Sequence, residues 1–363
     1  MELHLKEINS TDIGSSSIRR LSRIPDDLKP DDFEDKFDAT TLWYDAIQDG
    51  SFIFLVCPRL NNLTENIRQG LFFGDSNRLR RLPSINLPRT TIIVLWSGKP
   101  VSQVSFQSNS ISVSSAVHQA EHSLSHGLNC SLSINKNNDL RWIADHVSWH
   151  VKYHGLDAYF LLENQSDAYT TDEIVDALSG CGLKKLVILS LPLSYGPKAQ
   201  GKYRHWENFL QTSAYNILKL RFLKHARAVL SCDIDELVWP GEESIFQTAR
   251  KSPMGFVQFS GQTCYQDILS TPEVSHRAGY YLRPGERDAA YKWCLVPNSW
   301  LRYFYWSTHS LSNFRTRDLF VNKKRSYGHF YHVSTGWKSN RRQPVKYLVQ
   351  NDALKDLLSK SFP

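Results

Sequence analysis

Asp233 and Asp235 stand two residues apart where an apolar run stops, in Leu230–Pro240, LSCDIDELVWP. An apolar run such as Ala228–Cys232 that ends abruptly in charged residues reads as a buried strand. Carboxylates at i and i+2 on a strand end point to the same side. Their oxygens suit a hard divalent cation, Mn²⁺ or Mg²⁺. A cation held this way can bridge to a diphosphate and neutralise its charge as a bond to it breaks. Glu236 adds a third acid, and Leu237, Val238 and Trp239 make the chain apolar again at once. The alternative is a surface turn after a core strand, since a chain of this length holds roughly one chance Asp-X-Asp. Surface acidic turns rarely lie between two apolar runs.

Other groups with chemical potential are spread along the chain. His146, His150 and His154 recur every four residues, a spacing that can hold zinc on a helix. No Glu follows the first His, so packing is the expected role. Lys292 opens an apolar segment and is expected to meet an anionic diphosphate, as are Arg302, Lys338, Arg341 and Arg342 if they are more than surface charge. Tyr303-Phe304-Tyr305-Trp306 would stack on a sugar or form an aromatic core strand. His329 and His332 are read as structural.

These residues need a frame. From about residue 128 strands and helices alternate. Strands are expected at Cys130–Ile134, Ala158–Leu162, Lys185–Ser190 and Ala228–Cys232. Helices are expected from Leu140 to Gly155, at Glu173–Leu178 and at His205–His225. Such a series predicts an α/β fold with a doubly wound, mostly parallel sheet. In these sheets ligands bind beyond the strand C-termini, where Asn135, Asn164 and Asp233 fall. Residues 41–125 read as a β-rich module, with runs at Phe52–Val56, Thr91–Trp96 and Val101–Phe106. Residues 1–40 read as a loosely ordered polar lead-in, 126–343 as the α/β domain, and 344–363 as a helix opened by Pro344.

Composition narrows the function classes. The chain has 363 residues, enough for one large domain and a smaller one. Its formal charge of +7 favours diphosphates, anionic glycans or a membrane surface as partners. No long Lys/Arg block exists, so nucleic acid is not an expected partner. The N-terminus, MELHLKEINS, lacks the apolar core of a signal peptide, and no run of about 18 apolar residues is present. Six widely spaced cysteines without a C-x-x-C pair read as free thiols. Together these predict a cytoplasmic protein, with peripheral association at the inner face of a membrane as an added expectation.

Residues 136–178 resemble the opening of bacterial family-2-like and family-92-like glycosyltransferases of the GT-A fold: a strand, a polar turn, a helix carrying Trp and Tyr-His-Gly, and a strand ending in Glu163-Asn164-Gln165-Ser166. Cys232–Leu237 is similar to their D-x-D-E metal motif, and Lys292–Pro297 to their K-x-x-V-x-P strand. Gly328-His329-Phe330 with Trp337-Lys338 is similar to their H-F…W-K segment. Here Asn138-Asp139 replaces the usual acid of the first turn, and Glu163-Asn164 the usual D-N.

The resemblance implies transfer of a sugar from a nucleotide-sugar donor to a carbohydrate or other hydroxyl acceptor, by inversion, in envelope or capsular polysaccharide synthesis. It implies Mn²⁺ or Mg²⁺ at Asp233, Asp235 and His309. Donor contacts would come from Asn135, Asn164, Asp167, Asp233 and Lys292. A carboxylate of the 260–290 region would be the base, with Asp267, Glu286 and Asp288 as candidates. Two alternatives keep the same residues: a metal-dependent phosphoryl or nucleotidyl transferase, although no phosphate-binding Gly loop is present, and a non-enzymatic glycan- or nucleic-acid-binding protein.

Overall fold

The computed structural model describes residues 1–362 except 313, 315, 316, 336–340 and 342. Its centre is a nine-stranded sheet. In chain order the strands are β1 (Glu2–Glu7), β2 (Asn129–Asn135), β3 (Ala158–Glu163), β4 (Lys185–Ser190), β5 (Ala228–Ser231), β6 (Glu236–Val238), β7 (Phe256–Cys264), β8 (Ala289–Leu295) and β9 (Tyr327–Phe330). The order across the sheet is β1-β4-β3-β2-β5-β8-β7-β9-β6. The pairs from β1 to β5, and β7 with β9, are parallel; β5–β8, β8–β7 and β9–β6 are antiparallel. The chain thus adopts the α/β architecture with a mostly parallel sheet.

Helices cover both faces. They are α1 (Leu140–His154), α2 (Thr171–Leu178), α3 (Phe209–Leu218), α4 (Ile245–Lys251) and α5 (Asp352–Ser361). Asp139 caps α1 by accepting from the Arg141 amide, and Gly155 ends it at φ 65°, a left-handed conformation that costs Gly little. Trp142, Ile143, Ile174, Leu178, Ile245, Phe246, Leu354 and Leu358 of α1, α2, α4 and α5 pack on one face of the sheet. Phe209, Leu210, Ala214 and Ile217 of α3 pack on the other.

Three local expectations are corrected. The N-terminal residues are not a loose lead-in: β1 pairs in parallel with β4 along its whole length, through backbone bonds that need no apolar side-chain pattern. Arg20 is also buried there, donating to the carbonyls of Asp38, Thr41 and Arg59. The expected helix at His205–His225 is split: α3 passes into a π-turn at Lys219–Leu223. The last helix starts at Asp352, capped by Asn351, because Val349–Gln350 pairs instead with Tyr281–Leu282.

The β-rich module has two sheets sharing a core of residues such as Leu55, Ile93, Phe72 and Phe106. It is docked on the α/β part. Val56 and Ile47 join the core under α3, and Ser213 of α3 donates to Thr90 at 2.8 Å. None of the six cysteines is in a disulfide. Among the described residues no helix is long and apolar enough to cross a membrane.

Candidate functional site

The chain reverses its lateral direction beside β2: β3 and β4 lie to one side and β5 to the other. Crevices form at such switch points, beyond the strand C-termini. The acidic turn Cys232–Glu236 leaves the end of β5 there.

This turn is held from several directions. The Cys232 carbonyl accepts from Ser133 Oγ at 2.6 Å, and that of Asp233 from the Glu236 amide at 3.0 Å. The Ile234 carbonyl meets His276 Nε2 at 2.9 Å. Those of Asp235 and Glu236 meet the Phe330 amide at 2.8 Å and His146 Nδ1 at 3.0 Å. Five successive carbonyls are thereby satisfied, which fixes the backbone that carries the carboxylates.

Asp233, Asp235 and Glu236 line one cleft of about 560 Å³. Lys292, 0% exposed, reaches Asp233 and lies 2.9 Å from Glu236. Burial pulls the Lys292 pKa down, but the two carboxylates outweigh this and hold it well above its usual value. Burial pushes Glu236 up to about 7, with Lys292 opposing. Burial also raises Asp235, but His329 and Arg341 prevail and hold it below the usual range. His329 Nε2 and Arg341 each stand 3.2 Å from Asp235.

Candidate ligand atoms of Asp235, Glu236 and His329 lie within 4.8 Å of one another, the grouping of this kind found among the described residues. The register explains it, because β6 pairs antiparallel with β9 and sets Glu236 opposite His329.

No family model matches the chain. No curated protein matches it. Parts of it align with solved structures. One is the mannosyltransferase Ktr4p from S. cerevisiae in complex with GDP, at 14% identity over 40% of this chain and 43% of that one, TM-score 0.27. Mouse xyloside xylosyltransferase 1, apo form, aligns at 12% identity over 49% of this chain and 68% of that one, TM-score 0.26. The WbbM bifunctional glycosyltransferase, apo, aligns at 11% over 46% and 26%, TM-score 0.24. The chain spans less than half the length of the yeast protein. Likenesses this low set no activity for it.

The structure sorts the expected residues. Glu286 and Asp288 line the cleft from the segment before β8. Glu286 accepts from Tyr265 Oη at 2.7 and 2.8 Å. Asp267 does not line it; its carboxylate turns back on Ser270 and the Leu269 amide. His309 lines the cleft with Nδ1 3.0 Å from the Tyr291 carbonyl, but His329 is the imidazole grouped with Asp235.

Asn135 and Asn164, expected at a nucleotide, are 0% and 1% exposed. Asn135 bonds Glu163, Tyr169 and Asn138, and Asn164 donates to the Leu191 and Leu193 carbonyls. Both lock turns, as buried amides must find partners. Asp167 accepts from Asn137 at 2.6 Å, outside the cleft. Lys292 is spent on carboxylates rather than offered to a diphosphate.

Arg302 is exposed, beside the Tyr303 ring, and Trp306 is buried; neither lines the cleft. Trp337, Lys338 and Arg342 lie outside the described residues. Arg341 is in the cleft.

The histidine series is structural, as expected. His150 Nδ1 lies 2.8 Å from the His146 carbonyl, and its Nε2 accepts from the Val238 amide. His154 Nε2 lies 2.9 Å from the Val238 carbonyl, and its Nδ1 accepts from the Ile245 amide. The ladder fastens β6 to α1.

Sequence reasoning missed Arg89, Tyr195, Lys198, Arg204, His205, Gln211 and Arg287, which also line the cleft. None lies in a motif. Gln211 alone carried a signal, as a polar residue on the buried face of an apolar helix.

Proposed function

We propose that this chain is a metal-dependent glycosyltransferase that moves a sugar from a nucleotide-sugar donor to a hydroxyl acceptor. The carrying observation is the rigid acidic turn at the switch point, with Asp235, Glu236 and His329 close enough to share one ion. Two carboxylates and an imidazole are a donor set that suits Mn²⁺, and Mg²⁺ less closely. Asp235, Glu236 and His329 would hold the ion, with Asp233 beside them. When bound, it would neutralise charge gathering on the leaving nucleoside diphosphate.

The remaining work falls to the chain's own groups. Lys292 offsets the charge of Asp233 and Glu236, so the turn does not open by self-repulsion. Arg341, 3.2 Å from Asp235 and 3.0 Å from His329, would bring a guanidinium toward a phosphate oxygen at the same place. The Tyr265 hydroxyl orients Glu286, which then suits the role of base toward an acceptor hydroxyl, with inversion as the outcome. Asp288 is the second candidate.

Calorimetric titration with UDP- and GDP-sugars, with and without Mn²⁺, tests the reading. Binding that needs Mn²⁺ and is lost in Asp235→Asn is expected. If no sugar nucleotide binds under either condition, the reading fails.

A further inference from the structure

One wall of the cleft carries a second group of basic side chains. Arg89, Lys198, Arg204 and His205 line it. Arg89 comes from the β-rich module, immediately before the strand Thr90–Trp96; the other three come from the segment between β4 and α3. Both supports are fixed. The Thr90 hydroxyl bonds Ser213 of α3 at 2.8 Å and the Cys57 carbonyl at 2.6 Å. Asn208 donates to the Gly196 and Pro197 carbonyls at 3.0 Å, and Tyr195 to Gln211 at 2.8 Å.

Four of the five acids that line the cleft have partners, Asp288 being the exception among the described residues. Asp233 and Glu236 face Lys292, Asp235 faces His329 and Arg341, and Glu286 faces Tyr265. Among the described residues neither Arg89 nor Arg204 has a carboxylate partner or a side-chain hydrogen bond, although Arg89 is half-buried. Half-burying a guanidinium with no counter-ion is costly, and an oxyanion would offset that cost.

We infer that Arg89, Lys198, Arg204 and His205 form an anion subsite, separate from the metal-binding turn, that takes a phosphate- or carboxylate-bearing acceptor. The acceptor role rests on the transferase reading. A diphosphate bridged by a divalent cation is close to neutral and leaves this wall unmatched. Desolvation lowers the His205 pKa, its bond to Asn208 opposes this, and Arg89, Arg204 and Lys198 lower it further, as expected for an imidazole beside crowded cations. The β-rich module thereby completes the substrate site instead of only covering the sheet.

The test uses the full chain and inorganic phosphate as the probe, by calorimetry without divalent cation, then again with the protein saturated by UDP or GDP and Mn²⁺. Phosphate is expected to bind in both conditions. Arg89→Ala and Arg204→Ala should each weaken it by about tenfold or more, one charge-assisted hydrogen bond. Arg204 is exposed, so Arg204→Ala keeps the test valid if Arg89→Ala misfolds. Nucleotide affinity with Mn²⁺ should stay within about threefold of native in both variants, well short of the tenfold expected for a lost contact. Absent phosphate binding, unchanged affinity in both variants, or displacement of phosphate by nucleoside diphosphate overturns the subsite. If nucleotide fails to bind while phosphate binding depends on Arg89 and Arg204, the transferase reading falls and the anion subsite stands.

Discussion

Acid should weaken this protein well above the range where carboxylates titrate, and His154 is the group to follow. It is 2% exposed. Nε2 meets the Val238 carbonyl at 2.9 Å, while Nδ1 accepts from the Ile245 amide at 3.3 Å. That pair of bonds requires the neutral ring, since a proton on Nδ1 would face another N–H. Burial lowers its pKa to about 4, the Val238 bond opposing and Arg325 assisting. The unfolded chain has an ordinary histidine near 6.5. The folded value is therefore the lower one, and the unfolded state binds more protons between them. Stability is complete above about pH 6.5 and falls as pH drops toward 4.

Linkage over that gap gives a loss of about 2 kcal/mol at pH 5 and about 3 kcal/mol at the lower end. Carboxylates held low cannot mimic this. Asp49, brought to about 2 chiefly by His122 at 3.5 Å, loses its contribution only below the ordinary Asp value. Urea unfolding at pH 7 and pH 5 measures the effect, in native protein and in His154→Gln, which keeps one donor and one acceptor but does not titrate. The variant's loss between the two pH values should be about 2 kcal/mol smaller than the native loss. Equal losses in the two proteins would refute the assignment.

Further outcomes follow from the cleft. Lys292→Met removes the ammonium between two carboxylates and should cost on the order of 3–5 kcal/mol in urea unfolding without divalent cation; a cost under about 1 kcal/mol would deny the buried ion pairs. If Glu286 is the base, Glu286→Gln lowers kcat by roughly 10²–10⁴ with donor KM little changed, and Asp288→Asn costs under about tenfold; the reverse ranking in steady-state kinetics would move the role to Asp288. Gly196 sits at φ 109°, and a Cβ there would lie 2.3 Å from the Glu207 carbonyl. Gly196→Ala should lower thermal stability by about 1–3 kcal/mol and weaken phosphate binding, because the segment carrying Lys198 and Arg204 must shift. A variant with native melting and native phosphate affinity would show that segment to be unconstrained.

The part of the fold that was legible is the part set by local pattern. Ala158–Leu162 and the centre of Lys185–Ser190 are continuous apolar runs because a parallel strand is buried on both faces, and Cys130–Ile134 alternates apolar residues with small serines. They emerge within a residue or two of their expected bounds. β1 has no such signal: Glu2–Glu7 alternates charged and apolar residues, and its membership of the sheet comes from an edge pairing with a strand more than 180 residues away. The C-terminal helix forms, but its start, expected at Pro344, is displaced to Asp352 for a related reason. Its leucines fit a helix, but Val349–Gln350 had a distant partner in Tyr281–Leu282.

The site divides along the same line. The acids of the turn follow β5 directly and could be read from the sequence. Their neighbours arrive by other routes. His329 reaches the turn because β9 pairs with β7 on one edge and β6 on the other, so two long-range registers must be right before it meets Asp235. Nothing within Tyr327–Phe330 sets it apart from His309. Asn135 and Asn164 misled because a strand C-terminus needs turn-locking amides whether or not a ligand binds there. Lys292 was informative in a different sense from the one first given to it. A lysine buried within a strand in the middle of a sheet cannot stay charged without a counter-ion. Its position alone demanded a carboxylate, and an acidic turn at the end of β5, the strand that pairs with β8, was the nearest supply. The same demand applies in reverse to Arg89. It too is partly buried, but no acid among the described residues pairs with it, and a cation left in that state at the wall of an open cleft calls for an anion from outside.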